Sequence, residues 1–270
     1  MRLLHSLPLV SLAARAYAAE PPPEPQYIFS NPPVSDSGYR IPTSYESAVM
    51  GRRILALSPL GTLGTVFPGS SNGVSSQENR PDGLGGMPHA LMEYVADCED
   101  DGNPTFLAIN IETSFKNVRD GSNISLSQRW TPPYPPEKRI KSTFFDWLFG
   151  RDDDPKDTVP YSAANLPRFS VLGYIEKIDS MSTKALSSCF VNKHPDAKYW
   201  LPGNRIHESE FVRLVVTQVY WIGGFGDRAY IGWIPVEEWK NVTRKEWEDI
   251  SLPGEKPGWK EWSFEVMNDL

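Results

Sequence analysis

Residues 112–116, Glu-Thr-Ser-Phe-Lys, set two hydroxyls and a cation side by side where an apolar run, Thr105 to Ile111, gives way to a helical pattern. A bound phosphate wants hydroxyls, backbone N–H groups at a helix start and one or two cations. Thr113, Ser114 and Lys116 offer that set and are the candidate anion-binding residues. The same residues have a plainer reading, with Thr113 as an N-cap and Lys116 as a solvated side chain. Glu112, immediately before them, would repel a phosphate.

Other chemistry is thinly represented. His89, His194 and His207 lack metal-ligand spacing, and no serine sits in a G-x-S-x-G elbow. His194-Pro195 reads as the end of a helix, and Asp227-Arg228 as a surface pair. Cys98 and Cys189 are the two cysteines and form no CxxC. An oxidising compartment permits a bridge between them, whereas the helical spacing of Leu186, Cys189 and Phe190 favours a free thiol packed as a small hydrophobe.

The N-terminus points to such a compartment. Arg2 and His5 precede the apolar run Leu7 to Ala14, and Ala16-Tyr17-Ala18 fits a cleavage site, so residues 1–18 read as a secretory signal peptide. Cleavage would remove two of the 27 basic residues, Arg2 and Arg15, and shift the net charge from −7 to −9. Asn123-Ile124-Ser125 and Asn241-Val242-Thr243 are N-glycosylation sequons, while Asn103-Pro104-Thr105 is excluded by its proline. The acidic balance argues against nucleic acid as a partner, and no stretch has the roughly 18 apolar residues of a membrane span.

Hydrophobic residues at 40% and aromatics at 12% are enough for a substantial core. Residues 19–42 read as a proline-rich arm, 43–250 as the folded domain and 251–270 as a tail. Thr43 to Glu46 has capping-box spacing before a helix on which Arg52 and Arg53 flank a cleft or face water. Strands are expected at Gly61–Phe67, His89–Asp97, Thr105–Ile111, Asn123–Trp130, Arg168–Lys177, Glu210–Ile222 and Arg228–Ile234, the second and third forming a hairpin. Helices are expected at Thr113–Asp120, from Ser182 or Thr183 to Lys193, and after Thr243. The insertion 131–167 carries an aromatic cluster, Phe144 to Phe149, and an acidic run, Arg151 to Asp154. Gly223, Gly224 and Gly226 suit a tight reversal between the last two strands.

Antiparallel strands with helices at the corners and no βαβ alternation indicate a closed or half-closed barrel, mainly β with flanking helices. The order of GTLGTVFP, GNPTFLAINIETSFKNVRDGSNISLS, RFSVLGYIEKI, SSCFVNKHPDAKYWL and YWIGGFGDRAYIGWIPVEEW resembles the FMN-binding split-barrel superfamily of pyridoxamine-phosphate oxidase-like proteins. Within it, the signal peptide, the sequons and KHPDAKYWLP resemble the secreted CREG group, cellular repressors of virally stimulated genes, from about Thr43 to Val242. The resemblance implies a six-stranded antiparallel Greek-key split β-barrel that forms a homodimer, with flavin pockets at the dimer interface of enzymatic relatives. It further implies a non-catalytic glycoprotein of the extracellular, endolysosomal or vacuolar route that acts through protein partners, its flavin pocket obstructed. The Gly-Gly-Phe-Gly loop departs from the animal CREG pattern toward the enzymatic branch, which leaves FMN open as a cofactor.

Overall fold

The computed structural model describes residues 40–69, 81–134, 162–178, 183–226 and 229–259. Residues 1–18, expected to be a signal peptide, nearly all of the expected arm, the aromatic and acidic runs of the insertion and the Asp227-Arg228 pair lie outside the described residues.

Helix α1, Ser44–Leu57, starts on the expected capping box. Thr43 Oγ1 accepts from the Glu46 N–H (3.2 Å) and the Glu46 carboxylate accepts from the Thr43 N–H (2.8 Å). It leads into β1 (Leu60–Val66), β2 (Pro88–Tyr94) and β3 (Thr105–Ile109), then α2 (Thr113–Arg119) and β4 (Ile124–Arg129). After the insertion come β5 (Arg168–Lys177), α3 (Thr183–Lys193), β6 (Ser209–Ile222) and β7 (Ile231–Ile234). Two short helices follow, α4 (Val236–Asn241) and α5 (Arg244–Asp249), the latter on a second capping box at Thr243.

The sheet is antiparallel and has seven strands, one more than the resemblance implied, in the order β2-β1-β4-β5-β6-β3 with β7 also on β6. The 14-residue β6 explains the seventh. Its first half pairs with β3, from Ser209↔Ile109 to Arg213↔Thr105, and its last residues pair with β7, from Val219↔Ile234 to Ile222↔Ile231. Strand β5 runs along its other edge, with a bulge where Leu172 faces Gln218 and Gly173 faces Val216. A Cβ on Gly173 would lie 1.8 Å from the Val215 carbonyl oxygen, so the bend requires glycine.

The expected β2–β3 hairpin is replaced by a single antiparallel bridge. Ala96 N–H donates to Thr105 O (3.1 Å) and Thr105 N–H to Ala96 O (2.7 Å). Because β2 and β3 stand at opposite ends of the strand order, that bridge joins the two ends of the sheet and closes the barrel.

Inside lie Leu63, Phe106, Leu126, Val171, Leu214 and Trp221, with Trp239 of α4 plugging one end against α1. A Cβ on Gly51 would come within 2.6 Å of the Trp239 ring, whose Nε1–H donates to Gly102 O at 2.9 Å. A second cluster, including Leu107, Leu186, Phe190 and Phe211, packs α3 on the outside of β3 and β6. Arg52 is neither a cleft residue nor solvated: its side chain is 0% exposed and pairs with Asp97, 3% exposed, at 3.3 Å. It also donates to the carbonyls of Asp100 (2.9 Å), Trp239 (3.2 Å) and Val242 (3.3 Å), which compensates a buried charge. Arg53 holds Glu255 through Nε at 2.6 Å and donates to Trp247 O at 3.0 Å. Residues 251–259, read as a tail, dock on the barrel: Trp130 Nε1–H donates to Pro253 O (2.6 Å) and Leu252 is buried.

Candidate functional site

Helix α2 forms because Phe115 and Val118 pack on the barrel core at helical spacing, Phe115 edge-on to Phe106 at 6.2 Å. That placement brings Thr113, Ser114 and Lys116 into one turn, as their spacing requires. The N-cap is Glu112 and not Thr113; Thr113 is the first helical residue and makes no capping bond. Ser114 is only 5% exposed, and Asn117 on the inner side donates to Thr65 Oγ1 of β1 at 3.1 Å.

Glu112 decides what this turn can hold. Its carboxylate folds back to accept from the Ile109 N–H at 3.2 Å, which places it at the helix start where a phosphate would seat. Burial pushes its pKa up to about 7, and the neighbouring carboxylate of Glu93 on β2 adds to the shift. Burial also raises the Glu93 carboxyl. Two carboxyl groups beside a buried serine do not fit a doubly charged phosphate, so the residues present at α2 are a poor match for the flavin phosphate that the fold implies.

His194 is buried, stacked on Tyr94 at 4.5 Å, and its Nε2–H donates to Val95 O at 3.0 Å. Burial holds its pKa below the usual value, and it serves packing at the end of α3. No group of three or more potential metal ligands occurs among the described residues.

Cys98, just past β2, and Cys189 on α3 are joined by a disulfide with Cα atoms 5.8 Å apart. The packed-thiol alternative is thereby set aside. Leu186 and Phe190 are buried as their spacing predicts, but Cys189 sits at the margin of that face, toward Cys98. Asn123, one residue before β4, and Asn241, the last residue of α4, are both exposed.

On the outer face of the sheet a groove of about 890 Å3 crosses β1, β4, β5 and β6, and Thr113, Ser114 and Lys116 take no part in it. Its signal in the sequence is weak. The outward positions of β4 and β5 read as an ordinary polar face, and only the register brings them together.

Residues 42–241 match the family model described as CREG, beta-barrel. No curated protein matches the chain. Similar solved structures include a protein of unknown function from Agrobacterium tumefaciens, 19% identical with a TM-score of 0.44, covering 81% of this chain and 64% of that one. A heme binding protein from Mycobacterium smegmatis is 17% identical with a TM-score of 0.47, covering 74% and 61%. A FAD-binding protein from Mesorhizobium loti is 12% identical with a TM-score of 0.34, covering 62% and 87%. The chain therefore spans less than two thirds of the length of the first two.

Proposed function

This chain belongs to the CREG β-barrel family, and from that premise we propose that it is an exported glycoprotein whose split barrel is a scaffold for protein contacts and not a catalyst. The observation that carries the reading is the Cys98–Cys189 bridge, since disulfides persist in oxidising compartments and are rare in the cytosol. Exposure of both sequon asparagines supports it, because an acceptor must reach the solvent to take a glycan. Expression in a eukaryotic secretory host should yield a product that begins after Ala18 and carries glycan on Asn123 and Asn241. Mass spectrometry that finds Met1 retained and both asparagines unmodified would overturn the reading.

The protein pairs with a second copy of itself in this proposal. Trp233, 55% exposed, and Ile231 present an apolar edge on β7, which bonds to β6 on one side. Trp221, the other tryptophan of that hairpin, is fully buried in the barrel core and contributes nothing to an interface.

An FMN-dependent oxidoreductase is the competing reading. The glycine-rich β6–β7 loop favours it, and the Glu112 carboxylate at α2 opposes it. The absorption spectrum of the purified protein separates the two: flavin bands would reverse the ranking.

A further inference from the structure

We propose that both sequons accept glycan only while the chain is unfolded, and that the capping box at Thr243 is the lock that closes Asn241. The inference rests on the reading of the chain as an exported glycoprotein and adds the order in which modification and folding occur. The transfer forms a bond from asparagine Nδ2 to the anomeric carbon of a lipid-linked oligosaccharide. The bond from that carbon to the lipid diphosphate breaks, the lipid diphosphate leaves, and the amide gives up one proton. Because the motif demands a hydroxyl two residues on, the transferring enzyme must reach the asparagine, the hydroxyl and the backbone between them together. Exposure of the asparagine alone does not meet that demand.

At Asn241 the fold takes hold of the two residues that follow. Asn241 ends α4 and is exposed, but Val242 is only 2% exposed, and its carbonyl accepts from the buried Arg52 at 3.3 Å. Thr243 Oγ1 donates to the Glu246 carboxylate at 2.7 Å, and the same oxygen accepts from the Thr243 N–H at 2.8 Å. The other Glu246 oxygen accepts from the Tyr45 hydroxyl of α1 at 2.7 Å. The sequon hydroxyl is therefore tied through Glu246 to a helix some 200 residues earlier, |i−j| being 201 for Tyr45 and Glu246.

The sheet closes Asn123. Ser122 Oγ accepts from the Val66 N–H at 2.7 Å and donates to Asn123 O at 2.6 Å. Ile124 is 4% exposed, and Ser125 stands in register between Gly64 of β1 and Leu172 of β5. A Cβ on Gly64 would come within 2.7 Å of Ser125 Oγ, so the second hydroxyl lies against the β1 backbone. A strand paired on both sides frees its backbone only when the sheet opens. The two sequons also close in a different order during synthesis. Strand β4 needs β5, which follows it in the chain, whereas Tyr45 and Arg52, which close Asn241, precede it.

Glycan transfer to the purified, unglycosylated full chain tests the proposal, with an oligosaccharyltransferase, a lipid-linked oligosaccharide donor and site occupancy read by mass spectrometry. The chain with its Cys98–Cys189 bridge intact is compared with the same chain reduced and alkylated. Both are held at one urea concentration, at which circular dichroism shows the first folded and the second unfolded. The unfolded chain is expected to take glycan on Asn123 and Asn241 at least about a hundredfold faster than the folded one, since core segments open rarely. In the folded Glu246→Ala variant, transfer to Asn241 should rise by about fivefold, the change in local opening that loss of one cap produces. Transfer to Asn123 should stay as it was. Equal rates for the folded and unfolded chains would overturn the proposal, and so would an unfolded chain that takes glycan at neither site. A Glu246→Ala variant that folds and gains nothing at Asn241 would remove the capping box as the lock. The export reading fails separately, on an unprocessed and unmodified product from a secretory host, which the transfer assay does not use.

Discussion

Gly224, at φ +149°, opens the reversal between β6 and β7, and a Cβ there would sit 3.0 Å from the Asn165 carbonyl oxygen. Both the backbone angle and the space call for glycine. Gly226 has neither restriction, since its nearest neighbour would be Ile231 Cδ1 at 3.5 Å. Gly224→Val should therefore cost more than the roughly 1 kcal/mol typical of point substitutions and lower the thermal midpoint, whereas Gly226→Val should change it little. Equal midpoints for the two variants would remove the steric argument. At Glu112 the folded pKa of about 7 lies above the ordinary 4.5, so the folded chain binds the proton more tightly than the unfolded chain. The sign follows: this group's contribution is complete below about pH 4.5 and is lost as pH rises through about 7. Glu112→Gln should flatten the stability profile across that window and raise the midpoint at pH 8, as thermal melts at a series of pH values would record. The sequence made the Glu112 repulsion legible, but not the burial and the Glu93 carboxylate that raise its pKa.

Among the elements, α3 depends most on a covalent tie. It packs Leu186 and Phe190 on the outside of the barrel, and the Cys98–Cys189 bridge fastens it to the segment between β2 and β3 across 91 residues of sequence. Replacing both cysteines with alanine should cost about 2–4 kcal/mol and move the urea midpoint down. An unchanged midpoint would show that packing alone holds α3. Most elements could be read from local signals. Both capping boxes, at Thr43 and Thr243, form as spaced, and β5 spans Arg168–Lys177 as its alternation indicates. The β2–β3 hairpin could not be read this way. Its turn residues suit a hairpin, yet β3 pairs along its length with β6 and β2 with β1, partners distant in the chain that no local turn signal records.

At the scale of the whole molecule, one bridge between Ala96 and Thr105 joins the two ends of the sheet, and β7 presents an apolar edge in Ile231 and Trp233. A homodimer formed there predicts that light scattering returns twice the chain mass, and that Trp233→Asp returns the monomer without a large loss of stability. The second half follows from the exposure of Trp233: its replacement opens no cavity in the core. A monomer at all concentrations for the unmodified protein would exclude this interface. Among the described residues no helix is long and apolar enough to cross a membrane.

What the sequence determined by itself was the alternation of its strands, its helix starts, its turn glycines and the family to which their order belongs. These rest on contacts between residues close in the chain, where periodicity and capping leave a direct trace. The tertiary structure alone decided that Arg52 is buried against Asp97, that Cys98 meets Cys189, and that Arg129 faces Arg168 across β4 and β5. Each of those depends on strand register and barrel closure. A shift of one residue would turn every side chain of a strand to the other face, and no local pattern around Arg52, Cys189 or Arg168 carries that information.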